Sequence, residues 1–282
     1  MVLKKIRDTF ELIKFSHSIF ALPFALGSML LAARGLPSLR TIIFIVLAVV
    51  CARTAAMAFN RWTDAEIDAK NPRTQERHLP KGILSKGYAI ALCGISAVAF
   101  VFVSFLLGKL CLFLSPFALV ILFFYSYTKR FTDFSQIFLG LALGIAPIGA
   151  WIAVNNTVGF FPFLLGISVL LWVAGFDILY ATQDYEFDRR NKVHSMVVRY
   201  GIPKALQWAK VMHFFCFLIL LVLGGLAELH WPYFVGIGLM GILFFYQHSL
   251  IKPDDLSHVN AAFFTANGMI SLIFLASVYF SV

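Results

Sequence analysis

Charge is what this sequence has least of. Only 13% of its 282 residues are Asp, Glu, Lys or Arg, against about a quarter in a soluble domain, while 60% are hydrophobic and 16% aromatic. That shortage excludes a soluble enzyme. Acidic residues are scarcer than basic ones, 14 against 23, for a net charge of +9. In so apolar a chain the basic surplus reports orientation in a bilayer, and no nucleic-acid partner is expected. Cysteine is sparse as well. Cys51, Cys93, Cys111 and Cys216 all sit in apolar runs without a Cys-x-x-Cys pair, and they read as packing residues. The strict alternation of a membrane barrel is missing too.

What is present instead is a series of long uncharged runs, at 15–33, 88–108, 110–128, 134–176, 211–227, 229–251 and 256–282. A bilayer-spanning helix takes about 20 apolar residues. The run 134–176 holds two spans, split at 155–159, and a further span over about 39–59 tolerates Arg53 near its end. The first run follows Lys4, Lys5, Arg7 and Lys14 like a signal peptide. It is too long and lacks a cleavage site, so it is kept as a span. The expectation is an all-α, multi-pass membrane protein with nine transmembrane helices, folded as a single domain over 1–282.

Placing the N-terminus in the cytosol puts 20 of the 23 basic residues on that side and leaves Arg34, Arg40 and Lys109 outside. The positive-inside rule therefore predicts an N-in, C-out protein. The outer connections are short and nearly uncharged. Two inner segments, about 60–86 and 183–203, are long and rich in ionisable groups, and function is expected on them.

Those two segments repeat one another. The first opens Asn60-Arg61-Trp62-Thr63-Asp64-Ala65-Glu66-Ile67-Asp68, the second Tyr180-Ala181-Thr182-Gln183-Asp184-Tyr185-Glu186-Phe187-Asp188. The register between them is constant, so two related halves facing one another are expected. On a helix, residues at i, i+4 and i+8 share one face, which groups Asn60, Asp64 and Asp68, and likewise Tyr180, Asp184 and Asp188. Four carboxylates brought together repel unless a cation lies between them. Oxygen donors without His or Cys suit Mg²⁺, which completes its shell with water and substrate phosphates. Basic residues follow each motif: Arg73 and Arg77 after the first, Arg189, Arg190 and Lys192 after the second. Tyr125-Ser126-Tyr127-Thr128-Lys129-Arg130 lies between them. Carboxylates and guanidinium groups at a membrane face can together bind a metal diphosphate.

The pattern Asn60-x-x-x-Asp64-x-x-x-Asp68, Arg73-Thr74-x-x-Arg77-x-Leu79-Pro80, Tyr125-x-x-x-Lys129 and Asp177-x-x-Tyr180-x-x-x-Asp184-x-x-x-Asp188 resembles the UbiA-type intramembrane aromatic prenyltransferases. Lys14-Phe15-Ser16-His17-Ser18-Ile19-Phe20-Ala21-Leu22-Pro23 is similar to that family's first helix. The resemblance implies nine helices around a central cavity in the plasma membrane, with Mg²⁺ and a polyprenyl diphosphate held by the two aspartate motifs. It also implies prenylation of an aromatic acid acceptor. Carried over, Asn60, Asp64, Asp68, Asp184 and Asp188 match the metal-diphosphate positions, and Asp177 and Tyr180 complete the second motif. Arg73, Arg77 and Lys129 match positions near diphosphate or acceptor.

Members acting on 4-hydroxybenzoate commonly read Asn-Asp-x-x-Asp and Arg-Pro-Leu-Pro, whereas Arg61 follows Asn60 here and His78 follows Arg77. Those departures, with Asn71-Pro72-Arg73-Thr74, look more like the branch serving menaquinone by the futalosine route, whose acceptor is 1,4-dihydroxy-6-naphthoate. The acceptor carboxylate is expected to meet Arg77, with Arg53 assisting.

The chemistry follows from the groups themselves. An allylic diphosphate ionises when its leaving group is neutralised, and the cation must meet an electron-rich ring before water does. Tyr125, Tyr127, Phe124 and Tyr180 offer ring faces for cation-π stabilisation. The 31 Phe as a set read as lipid-facing or packing surface, and His17 as a buried histidine at least as readily as an acceptor contact. The stripe Gly140, Gly144 and Gly149 around Pro147 reads as helix packing. A transporter built from repeated halves is the rival reading. Transporter sites lie near the bilayer midplane, however, and here the carboxylates gather at one face.

Overall fold

The computed structural model describes residues 2–282 and shows helices with no strand among them, only an isolated bridge between Lys252 and Asp255. A short helix α1 (Val2–Leu12) precedes a 3₁₀ turn at Phe15–His17 and then α2 (Ser18–Ala33), α3 (Leu39–Lys70), α4 (Lys86–Leu107) and α5 (Lys109–Thr128). The second half holds α6 (Ser135–Asn155), α7 (Phe160–Ala181), α8 (Tyr185–Arg190), α9 (Met196–Leu226), α10 (Trp231–Ser249), α11 (Val259–Ala261) and α12 (Asn267–Tyr279). A π-turn at Ala262–Ala266 joins the last two.

The chain forms helices because a bilayer leaves backbone groups no other partner. Serines start three of them: Ser38, Ser85 and Ser195 accept from the amides of Thr41, Tyr88 and Val198 at 3.2, 3.1 and 3.2 Å. Eight described helices are long and apolar enough to cross a membrane. The ninth span expected from the sequence falls on α10. Its 19 residues run to about 28 Å, but Trp231-Pro232-Tyr233 and Tyr246-Gln247-His248 make both of its ends polar. The count of nine is therefore eight clear spans and one shorter helix.

Large apolar side chains such as Phe102, Phe113, Phe163 and Phe245 stand exposed on the outside of the bundle, the surface that lipid covers. Inside, α7 is central: Leu165, Val169, Trp172 and Val173 are wholly buried. Its contact with α6 is backbone on backbone. A Cβ on Gly140 would lie 2.3 Å from the Leu170 carbonyl oxygen, and one on Gly144 2.6 Å from that of Gly166, so only glycine permits this approach. Gly140 and Gly144 form a packing interface, as their spacing suggests, whereas Gly149 faces open space. Cys93 and Cys216 are buried and all four cysteines are free, in keeping with packing roles.

The two ionisable segments are less loop-like than their composition implies. Helix α3 runs on to Lys70, so 60–86 is irregular only from Asn71 to Ser85. The second segment is a 3₁₀ turn (Thr182–Asp184), then α8, then the start of α9, which bends at Gly201 with φ 75° before Pro203. Tyr180, Asp184 and Asp188 therefore do not ride one continuous α-helix as their spacing predicts, because the 3₁₀ turn interrupts it.

Candidate active site

The ends of α3, α5 and α7 and the start of α6 enclose a polar cavity of about 310 Å³ at one end of the bundle. Every residue carried over from the family's metal-diphosphate and acceptor positions lines it. Asn60, Asp64 and Asp68 come from α3, Arg73 and Arg77 from the turn behind it, and Tyr125 and Lys129 from the end of α5. Asp177, Tyr180, Asp184 and Asp188 come from α7 and the turns after it. The two acidic motifs thus face one cavity from opposite sides, as their symmetry implies.

Within it three of the carboxylates, Asp64, Asp68 and Asp184, are held by basic side chains. Asp64 is buried and accepts from Asn60 Nδ2 at 2.9 Å and Lys129 Nζ at 2.5 Å, while Asp68 takes Arg77 Nη1 on both oxygens at 2.8 Å. Asp184 accepts from Asn71 Nδ2 at 2.9 Å and from Arg73 through Nε at 2.8 Å and through Nη2. No three cavity carboxylates bring oxygens within 4.8 Å of one another; among the described residues only Asp8, Glu11 and His78, at α1, converge so closely. Lys129 thus holds Asp64, Arg77 holds Asp68, and Arg73, from beside the first motif, crosses to Asp184 of the second.

Arg73 is the most constrained base. Its Nη1 donates to the Tyr180 hydroxyl at 2.7 Å and its guanidinium lies 4.9 Å over the Tyr180 ring. Burial opposes its charge, but the bonds from Asp184 outweigh that and raise its pKa above the usual arginine value. Lys14, on the opposite rim, is shifted down, first by burial and then by Arg61 and Arg77 nearby. Asp64 Oδ1 and Arg53 Nε are buried without a hydrogen-bond partner. Arg130 Nη1 lies 3.6 Å from Asp64 Oδ1.

Not every expected group belongs to the cavity. Phe124 and Tyr127 do not line it; they pack on Phe131, Phe138 and Phe59, so that of the four expected ring faces only Tyr125 and Tyr180 lie inside. Arg189 lies over Tyr185 and Arg190 pairs with Glu186 at 4.0 Å, so the second basic cluster faces solvent. His78 approaches Glu11 on α1 at 3.4 Å rather than the cavity; Arg61 does line the cavity, with its Nε donating to the Leu12 carbonyl at 3.1 Å. Both are tied to the N-terminal helix. His17 does line the cavity, among Phe20, Phe263 and Phe264.

Sequence reasoning missed Asn71 and Phe263. Asn71 is buried and pins both Asp184 and the Arg73 amide, its Oδ1 accepting from the latter at 2.9 Å. Its sequence signal was an Asn-Pro step beside an arginine. Phe263 had no signal among 31 phenylalanines.

A second cavity, also of about 310 Å³, adjoins the first between α3, α4, α5 and α6. Arg53, Met57, Tyr125, Leu139 and Leu143 line both, and the remaining wall of the second is almost entirely apolar. The arrangement can hold a multiply charged headgroup at one end and a hydrocarbon chain at the other.

Known proteins carry the same organisation. The chain is 34% identical over 228 residues to a 4-hydroxybenzoate octaprenyltransferase of Alcanivorax borkumensis, covering 80% of this chain and 78% of that one. It is 30% identical over 250 residues to the enzyme of that name from Francisella tularensis, covering 88% and 87%. The structure of a UbiA homolog from Aeropyrum pernix superposes with a TM-score of 0.85 at 30% identity, covering 93% of this chain and 96% of that one. A UbiA homolog from Archaeoglobus fulgidus, bound to GPP and Mg²⁺, shares the fold at a TM-score of 0.75 and 19% identity, covering 96% and 98%. With residues 21–275 also matching the profile of that family, this membrane-embedded chain with paired aspartate motifs belongs to the UbiA prenyltransferases.

Proposed function

We propose that the protein transfers a polyprenyl group from a polyprenyl diphosphate to an aromatic acid that is a precursor of a respiratory quinone, with Mg²⁺ as cofactor. The observation that carries this reading is the adjacency of the two cavities: a cationic and acidic chamber sharing five wall residues with an apolar one of the same size.

The donor set suits the metal. Asp64, Asp68, Asp184, Asp188 and Asn60 offer hard oxygen atoms with no His or Cys among them, and Asp64 Oδ1 is buried without a hydrogen bond. Bound there, Mg²⁺ supplies charge neutralisation for the diphosphate leaving group. Arg73, Arg77 and Lys129 each already hold a carboxylate and can turn to phosphate oxygens. Tyr125 and Tyr180 present ring faces to the allylic cation formed as the diphosphate departs. The apolar chamber takes the chain and excludes water, so that the cation meets the acceptor ring. Loss of the ring proton completes the substitution.

For the acceptor carboxylate, Arg53 is better placed than Arg77. Arg77 is committed to Asp68 on both oxygens, whereas Arg53 lines both chambers with Nε unpartnered. The curated relatives are named for 4-hydroxybenzoate. The resemblance of Asn60-Arg61 and Arg77-His78 to the other branch, carried by the motif and not by contacts of His78 with the cavity, points to the bicyclic 1,4-dihydroxy-6-naphthoate here. The N-terminus and the polar chamber lie on the cytosolic side of the plasma membrane, because the basic residues crowd that end of the bundle. Supplying membranes with a radiolabelled polyprenyl diphosphate and either acid tests the reading; no labelled product with either would overturn it.

A further inference from the structure

Away from the carboxylates, one wall of the polar cavity consists of rings. His17, Phe20, Phe176, Tyr180 and Phe263 all line it, and Phe263 is the hub. Its ring centroid lies 4.3 Å from Tyr180, 5.3 Å from Phe176, 5.5 Å from Phe20 and 5.7 Å from His17.

Phe263 reaches this position because the helix carrying it is irregular. The π-turn at Ala262–Ala266 adds one residue to a turn, which puts the side chains before and after it out of step by about 100°. Such a turn disturbs the regular backbone bonds, and two buried amides compensate. Gln247 Nε2 donates to the Ala262 carbonyl at 2.9 Å. Asn267 Nδ2 donates to the Phe263 carbonyl at 2.8 Å and the Ala262 carbonyl at 3.4 Å. The Asn267 oxygen in turn accepts from Trp172 Nε1 on α7 at 2.8 Å. Asn267, Gln247 and Trp172 are fully buried, and none of them lines the cavity. An amide in a membrane-spanning helix is costly unless bonded, and Asn267 uses its bonds to lock the π-turn to α7.

We propose that Phe263 is a specificity-determining wall of the acceptor subsite and that Asn267 is a positioning residue acting through it. The inference rests on the prenyl-transfer reading and deepens it. The prenyl chain leaves toward α3, α4, α5 and α6, through the chamber that shares Met57 and Leu139 with this one. The ring wall on α2, α7 and the π-turn lies on the other side, where a planar acceptor can stack with its carboxylate toward Arg53 and Lys14. A one-ring and a two-ring acid then differ in how much of the space beside Phe263 they need.

The test measures acceptor KM and polyprenyl diphosphate KM separately on the purified full-length protein in lipid nanodiscs, for wild type, Phe263→Leu, Asn267→Ala and the double variant. Each single change is expected to raise acceptor KM about tenfold, leave donor KM within about twofold, and shift the ratio of kcat/KM between naphthoate and hydroxybenzoate. The double variant is expected to match Phe263→Leu alone, since Asn267 acts through that ring. Phe263→Leu breaks no hydrogen bond and carries the test if Asn267→Ala does not fold. Unchanged acceptor KM in Phe263→Leu, equal losses for both substrates, or additive losses in the double variant would overturn the proposal while leaving prenyl transfer intact. A wild type that transfers no prenyl group to either acid would instead defeat the underlying reading.

Discussion

Arg73 and Asp184 join the two acidic motifs across the cavity: the guanidinium that follows the first motif grips the second through Nε at 2.8 Å and through Nη2. The same guanidinium bonds the Tyr180 hydroxyl, so one side chain sets the spacing of two segments 111 residues apart.

Replacing Asp64 or Asp184 by Ala is expected to abolish prenyl transfer while folded protein stays in the membrane, because each removes an oxygen donor from a wet chamber rather than from the packed core. Excess EDTA should do the same to the wild type, with activity restored by Mg²⁺. Near-normal turnover of either variant, or of the wild type in EDTA, would remove the metal-diphosphate assignment.

Arg73→Ala should lower kcat by about 10²-fold or more, the scale of losing one preorganised stabiliser of developing charge. Arg73→Lys should recover only part of this, since an ammonium cannot reproduce the forked bond to Asp184. Steady-state kinetics with saturating acceptor read both values.

Arg53 and Arg77 should separate the two substrates. Arg77→Ala is expected to raise the KM of the polyprenyl diphosphate, because the Asp68 it pairs with belongs to the diphosphate end. Arg53→Ala should raise that of the aromatic acid. A reversed pattern would return Arg77 to the acceptor, as the sequence alone suggested. Competing 1,4-dihydroxy-6-naphthoate against 4-hydroxybenzoate in one assay is expected to favour the naphthoate.

Gly140→Val should destabilise the bundle by about 1–3 kcal/mol, since its side chain would collide with the Leu170 carbonyl of α7. A lowered Tm in detergent, with Gly149→Ala unchanged as a control in open space, checks it.

Acid sensitivity should involve Asp133, whose carboxyl meets His194 Nδ1 at 2.8 Å and Arg199 Nη1 at 3.0 Å and is held below its usual pKa, chiefly by the His194 bond. Its contribution is present above the unfolded value of about 3.9 and is lost as pH falls through the lower folded value. Asp133→Asn should therefore reduce Tm at neutral pH and flatten its fall below about pH 4, measured as Tm against pH.

The sequence by itself determined the membrane class, the helical architecture and which ionisable residues would gather around one polar cavity. Uncharged runs longer than a bilayer is thick admit only helices, and the register of Asp at i and i+4 groups carboxylates at one helix end for the first motif, whereas a 3₁₀ turn interrupts the helix in the second. Asn60, Asp64, Asp68, Asp184 and Lys129 were legible because ionisable groups are rare in this chain, so each one stands out. Only the tertiary structure decided which base serves which acid. The pairing of Arg73 with Asp184 rather than with its own motif depends on how α3 and α7 pack, and no local pattern encodes that distance. The same holds for Arg61 and His78, whose partners lie on α1, and for Tyr127, which faces Phe59 instead of the cavity. Phe263 is the extreme case: its side-chain type is common in the sequence, and its place beside Tyr180 arises from a π-turn held by Asn267, a bond pattern that exists only once α7, α10 and α12 are assembled.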